Sequence, residues 1–455
     1  MGCARQSRME AGEPQDCTSW LPDELALRIL SYLDAKDIMQ VAQTCQRWRE
    51  LAEDEGLWQG KCKADGIEEP LQVTRSRAKG FRSGPWKSAY TNQLRVDTNW
   101  RRGRFKTITL DSLVSLPNSN LVGSNGKELV LSNGLITKVW SAVTGECLRT
   151  FVEHIDTVYV TEVQMRDHMI VSGYNDGTVK VWNAESGACI HTLGGHTDCV
   201  PHVHLHEQRA ASCSYDRTIR VWDIEAGQCL HTLLGHEDDV TWVWYNGRRL
   251  LSEDLSHIVK MWDPETETCL RSVCLDTGAL AMLQFDGKHI VSLLHPDRTI
   301  GVWDGETLKR THTLTGNEPY ASMTLKNSIL GVVNFDGTAE IWNVETGQRL
   351  NLLQDPDGFN IQSKCLALRG DFLIGKSGTG WVTLWDWRTG QFLQNLFVTK
   401  REDDREPHFL VFNTKHIYVF VNWTKVVVLD FDVKERARKK RRVVPSLGWC
   451  HTVDS

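Results

Sequence analysis

The sequence predicts a small all-α unit followed by an all-β propeller of eight blades. Seven tryptophans, Trp140, Trp182, Trp222, Trp262, Trp303, Trp342 and Trp385, recur at intervals of 42, 40, 40, 41, 39 and 43 residues. Each follows an apolar residue, in phrases such as Lys-Val-Trp, Arg-Val-Trp and Glu-Ile-Trp. A fixed period of about forty residues is the mark of a propeller built from four-stranded blades. One period beyond Trp385, the phrase Val426 to Asp432 repeats the pattern without its tryptophan and supplies the eighth blade. Ahead of the repeats, apolar residues fall at helical rather than strand spacing.

The helical part begins at Trp20-Leu21-Pro22-Asp23-Glu24. Proline needs no hydrogen-bond partner in a first helical turn, and the two acids suit the helix dipole. Leu25, Ile29, Leu30 and Leu33 continue at helical spacing, and Asp34 to Asp37 breaks the run. A second helix is expected from Ile38 through Trp48, and a third carrying Leu57, Trp58 and Cys62. Helices this short bury a modest core, so part of their apolar surface is expected to be completed by a partner. The organisation reads as a leader at 1–18, a helical module at 19–64, a basic linker at 65–106, a propeller at 107–433 and a basic tail at 434–455.

Composition excludes several classes. There is no run of eighteen apolar residues and no secretory h-region, so neither a membrane span nor export is expected. Met1-Gly2-Cys3 lacks the Ser or Thr that myristoylation wants at position six, where Gln6 stands. The 13 cysteines are odd in number and hold no Cys-x-x-Cys pair, which points to a reducing compartment. Cys147, Cys189, Cys229 and Cys269 recur at one place in successive repeats and are read as small core residues. The linker carries ten Lys or Arg between Arg75 and Lys106, interrupted by Phe81, Trp86, Tyr90 and Trp100. No nucleic-acid motif accompanies them, so a helical spacer with aromatics packed on the propeller is preferred to nucleic-acid binding. The run from Lys434 to Arg442 suggests nuclear import, giving an expected nuclear and cytoplasmic location.

His202, His204 and His206 alternate along one strand face. No acid or thiolate stands at ligand spacing beside them, so a polar strand face is expected and no metal or other cofactor. No phosphate loop, nucleophile elbow or acid/base pair is present, so the chain is not expected to be an enzyme.

The Leu21-Pro22 entry, the stripe Leu25, Ile29 and Leu33, and Trp48 resemble an F-box, and the repeats resemble WD repeats. Phrases such as Asp-Thr-Asn-Trp-Arg-Arg-Gly (97–103), Val-Trp-Ser-Ala-Val-Thr-Gly (139–145) and Val-Leu-Asp-Phe-Asp (428–432) are similar to the archipelago-type substrate receptors of SCF ubiquitin ligases. That resemblance implies docking on the Skp adaptor, and through it cullin and RING subunits, by Leu21, Pro22, Leu25, Ile29, Leu33 and Trp48. It also implies a protein substrate held at the propeller mouth. The WD pattern implies a structural hydrogen-bonded set, here His196, Asp216 and Trp222, with Asp176 and Trp182 in the preceding unit. In later units Ser256 and Thr379 stand where that Asp is expected.

The family reads phosphorylated degrons with mouth arginines, and those positions hold Pro201, Tyr215 and Thr241 here. Gly177 and Leu255 replace supporting residues, and Tyr159 stands at an aromatic position. Asp156, Asp198, Asp238 and Asp239 make the entrance loops acidic. Arg217 and Arg298 supply some positive charge without restoring the arrangement. Phosphate needs forked donors and is repelled by carboxylates, so phosphodegron binding is expected to be weak or lost. An unphosphorylated or basic peptide is expected instead, on acidic and aromatic anchors at Tyr159, Tyr215, Trp242 and Trp244. The rival reading is a non-degradative scaffold or decoy. With only about twenty residues ahead of the F-box-like segment, a monomeric receptor is expected.

Overall fold

The computed structural model describes residues 21–65, 67, 84–110, 122–152, 157–275, 279–295, 299–316, 318, 320–354, 361–377, 381–398, 410–412, 415–422 and 425–433. These fall into two compact units, 1–102 and 103–455. Among the described residues no helix is long and apolar enough to cross a membrane.

The first unit holds five helices: α1 (Asp23–Tyr32), α2 (Ala35–Val41), α3 (Gln46–Leu51), α4 (Glu55–Ala64) and α5 (Pro85–Arg101). Asp34 caps α2 by accepting from the Asp37 amide at 2.8 Å, and Asp54 caps α4 by accepting from the Leu57 amide at 2.7 Å. The single helix expected over 38–48 is two. Cys45 is extended, at φ −151° and ψ 170°, so the chain turns before Trp48. The core gathers Leu30, Ile38, Ala52, Trp58, Cys62 and Tyr90. Trp58 is fully buried, stacks obliquely on Tyr90 at 5.3 Å and donates its indole N–H to Ala52 O at 2.8 Å. Trp86 and Tyr90, expected to pack on the propeller, belong to this core instead. Lys87 is buried as well, its ammonium on Ala52 O and Glu53. Two of the linker's aromatics and one of its cations are therefore spent on packing.

The second unit contains eight four-stranded antiparallel sheets. Seven are sequential meanders, lying at 122–152, 160–193, 202–233, 240–274, 279–315, 320–353 and 361–398. The eighth is not sequential: Lys106–Leu110 pairs with Lys425–Asp430 from the far end of the chain. This closure leaves no blade without neighbours, which is how a propeller hides its sheet faces. Clusters such as Val171, Val181, Val203 and Trp222, or Ala211, Val221, Val243 and Trp262, fill the gaps between successive blades. The repeated tryptophans are thus interblade wedges, Trp222, Trp262 and Trp385 being about fully buried.

The repeated cysteines are not core residues. Cys147, Cys189, Cys229 and Cys269 are exposed on the fourth strand of their blades. Each sits opposite the blade tryptophan where the register slips, and its thiol meets the carbonyl two residues on, at 3.2–3.4 Å. A bulge turns the side chain outward, so a recurring position there carries no burial.

The first strands of successive blades lie beside one another and are tied by side chains. Gln164 accepts from the Leu205 amide at 2.9 Å, and Gln284 accepts from the Leu325 amide at 2.5 Å. His204 fills the equivalent place, accepting from the Tyr245 amide at 3.3 Å. His202 and His204 lie against Trp242 and Trp244, with ring centroids 6.2 and 5.8 Å apart. This strand face is polar but packed between blades. Burial first, and the neighbouring histidines second, push both imidazoles down to about 4.

Two outcomes are expected. Leu110→Ala, at a fully buried position of the closing strand, should cost about 2–4 kcal/mol, read as a lower urea midpoint of the propeller. Because His204 binds its proton more weakly when folded, its contribution is complete above pH 6.5 and is lost as pH falls toward 4. His204→Gln, which keeps the acceptor its neighbours use, should leave stability at pH 7 little changed and gain about 1–2 kcal/mol over the parent at pH 5.

Candidate functional site

The expected site residues come together at one end of the propeller. Antiparallel order puts the loop entering the first strand and the turn between second and third strands at the same end. Their backbones are joined there. The Asn175 amide donates to Tyr159 O at 3.2 Å, Tyr215 to Cys199 O at 3.0 Å and Leu255 to Asp239 O at 3.0 Å. Tyr159, Asp198, Pro201, Tyr215, Arg217, Thr241 and Leu255 therefore share the mouth of three successive blades. Arg298, Asp156 and Thr379 lie outside the described residues.

A polar set pins the turn in the blade at 202–233. His196 meets Asp216 Oδ2 through Nδ1 and Ser212 Oγ through Nε2, both at 2.9 Å. Trp222 donates its indole N–H to the same Ser212 Oγ at 2.8 Å, and the Thr218 hydroxyl donates to Asp216 at 2.7 Å. Burial alone would raise the Asp216 carboxyl. The hydrogen bonds from His196 and Thr218 outweigh it and hold the group well below the usual carboxylate range. One blade earlier, Asp176 accepts from Thr178 at 2.6 Å and Trp182 donates to Ser172 at 3.0 Å. The buried members of these sets serve one another.

In the next blade the acid has moved. Ser256 occupies the expected place, yet His236 keeps a carboxylate partner: Asp254 Oδ2 lies 2.6 Å from its Nδ1. Ser252 bridges His236 and Trp262 at 2.7 and 2.8 Å. Asp254 is fully buried and stands two residues before Ser256, where the preceding blade has Ser214. Counting at fixed offset from the tryptophan missed it, because the turn lets a side chain two positions earlier reach the same imidazole.

The freed Ser256 donates its hydroxyl to Asp238 Oδ2 at 2.8 Å. Asp238 Oδ1 in turn accepts the Asp239 amide at 2.9 Å. Hydrogen bonding to Ser256, then to that amide, keeps the Asp238 carboxyl low, with the Arg217 charge adding to the effect. Arg217 holds a left-handed backbone at φ 68° and reaches 4.0 Å from Asp239. Among the described residues the mouth thus presents carboxylates beside the partly paired guanidinium of Arg217.

The aromatic anchors differ from expectation. Trp242 and Trp244 are turned between blades, Trp244 edge-on to Phe285 at 4.5 Å, so they do not line the mouth. Tyr159 (50 % exposed), Leu255 (53 %), Phe335 (63 %) and, in the first blade's turn, Leu135 (42 %) are exposed large apolar side chains at this end. Phe335 stands seven residues before Trp342, the offset of Tyr215 and Leu255 from their tryptophans, so the same ruler would have found it. Thr241 is skipped in the register between Val240 and Trp242, a bulge at the head of the first strand. Its hydroxyl donates to Glu253 O at 3.3 Å.

In the helical unit, α1 buries Ala26 and Leu30 and leaves Leu25 (49 %), Ile29 (48 %) and Tyr32 (79 %) exposed. Pro22 is also exposed, while Leu21, Leu33 and Trp48 are half-buried. Arg47 holds the entry, bonded to Leu21 O and, at 2.8 Å, to Asp23. Among the described residues no group of three His, Cys, Asp or Glu is placed to hold a metal ion.

The described residues thus hold a helical module with an exposed apolar stripe and an eight-bladed propeller. Comparison with known families agrees: residues 19–64 match the F-box-like family, and 145–183, 187–223 and 227–263 match the WD domain, G-beta repeat. These segments of the chain are thus similar to an F-box-like module and to WD repeats. F-box/WD repeat-containing protein 7 of Drosophila melanogaster is 40 % identical over 163 residues, covering 34 % of this chain and 12 % of that one. The probable E3 ubiquitin ligase complex SCF subunit sconB of Arthroderma otae is 28 % identical, covering 30 % and 24 %. Human F-box/WD repeat-containing protein 8 is 26 % identical, covering 30 % and 22 %. The chain therefore matches less than a quarter of the length of each of these relatives. Among solved structures, the computationally designed Ika8 protein superposes with a TM-score of 0.58 at 28 % identity, over 70 % of this chain and 99 % of that one.

The relocated acid gives a direct test. Asp254→Ala should destabilise the propeller by about 2–4 kcal/mol by stranding His236. Ser256→Ala, at the position where the pattern expects the acid, should cost less than about 1 kcal/mol in the same denaturation experiment.

Proposed function

We propose that the protein is a substrate-recruiting subunit of an SCF-type cullin–RING ubiquitin ligase. The observation that carries this reading is the stripe Leu25, Ile29 and Tyr32, exposed on a helix whose other face fills the core of the F-box-like segment. Apolar side chains at helical spacing, outside a core that is already complete, suit a groove on a partner. That partner is the Skp adaptor, and through it the cullin and RING subunits. The propeller mouth holds a protein substrate, and the chain promotes ubiquitin transfer by proximity without an active site of its own.

The mouth favours an unphosphorylated or basic peptide. Pro201, Tyr215 and Thr241 offer a phosphate no forked cation, whereas Asp198, Asp238 and Asp239 favour positive charge. Tyr159, Leu255 and Phe335 add apolar contact. The receptor acts as a monomer, in nucleus and cytoplasm, the basic run from Lys434 to Arg442 serving import.

Co-purification with the Skp adaptor and cullin tests this reading. Leu25→Asp with Ile29→Asp, both at exposed positions, should abolish capture by at least about 100-fold while leaving the fold intact. A native protein that captures neither adaptor nor cullin is not a subunit of this ligase.

A further inference from the structure

The loop at 236–240 is held at three points. Asp254 fixes His236, Ser256 fixes the Asp238 carboxylate, and the Leu255 amide fixes Asp239 O. The Asp239 amide on Asp238 Oδ1 adds a local turn. The Asp238 carboxylate and the backbone of Asp239 are thus placed by the neighbouring turn. Across the blade boundary Arg217 is equally constrained, its left-handed backbone closed by its amide on Ser214 O at 3.1 Å. Its guanidinium lies 4.0 Å from Asp239 and is more than half exposed, so it faces both solvent and the acid.

We propose that Asp239 is a specificity determinant of the mouth: its carboxylate is a built-in counter-anion for Arg217 that turns phosphorylated side chains away from this blade boundary. The inference rests on the reading of the mouth as a peptide-binding surface and names the residues that set its charge preference. An incoming phosphate would have to displace a carboxylate already beside the guanidinium, and would meet Asp238 next to it. Like charges at such range oppose binding, and the preformed pair leaves the arginine little to gain. Asp238 responds to Arg217 too, its carboxyl held low chiefly by Ser256 and the Asp239 amide and further by that cation. An unphosphorylated or cationic side chain meets no such opposition.

The test uses the full chain on an array of dodecapeptides randomised around a central threonine, printed in plain and phosphorylated form, at 0.15 M salt. The parent is expected to give more signal on the plain form. Asp239→Asn keeps the backbone bond to Leu255 and should raise the phosphorylated-to-plain ratio by about tenfold. Adding Arg217→Gln should return the ratio to the parental value. A ratio within about twofold of the parent in Asp239→Asn overturns the proposal, as does a rise that survives Arg217→Gln or the absence of any phosphopeptide signal. Failure of the mouth reading is separately visible: peptide signal of the parent would then be unchanged by Leu255→Asp with Phe335→Asp.

Discussion

A four-stranded blade has two apolar faces, and only a neighbouring blade on each side can cover both. The pairing of Lys106–Leu110 with Lys425–Asp430 is what gives every blade two neighbours. Without it the first and last blades would expose Leu129, Leu131, Tyr418 and Val428, which now share one core with Ile108 and Leu110. The polar staples between first strands join neighbouring blades, whereas the His–Ser–Trp sets pin turns within one blade.

Closure also explains why the polar groups at the mouth divide into two kinds. His196, Asp216, His236 and Asp254 are consumed in holding turns, as buried polar groups must be. Asp238, Asp239 and Arg217 lie one step further out, positioned by those turns but still facing solvent. The shift of the buried acid from the expected place to Asp254 links the two kinds, because it releases Ser256 to orient Asp238. A change in the scaffold thereby sets the electrostatics of the recognition surface. The helical unit divides its labour in the same way. Leu30 and Ala26 build the core, while Leu25 and Ile29 on the same helix remain exposed.

Much of this was legible beforehand. The spacing of tryptophans gives the blades, because a wedge between sheets must recur once per blade. The helical stripe and Leu21-Pro22 entry mark the docking module. Residues at the mouth can be located by counting back from each tryptophan, since the turn length is nearly constant. Three readings failed for one common reason, that periodicity reports recurrence but not the direction of a side chain. Cys147 and its equivalents recur because a bulge recurs, and they point outward. Trp242 and Trp244 alternate as mouth aromatics would, yet they pack between blades. Trp86 and Tyr90 interrupt a basic stretch and fill the helical core.

From the sequence alone follow the blade number, the helical module and the acids of the entrance loops. These are local or periodic properties, written in residue type and interval. Only the tertiary structure decided that the eighth blade is closed by Lys106–Leu110, that Asp254 serves His236, and that Asp239 lies against Arg217. Each of these joins groups on different strands or blades. Such contacts depend on how twisted sheets meet around a closed ring, a geometry that residue spacing along one chain does not record.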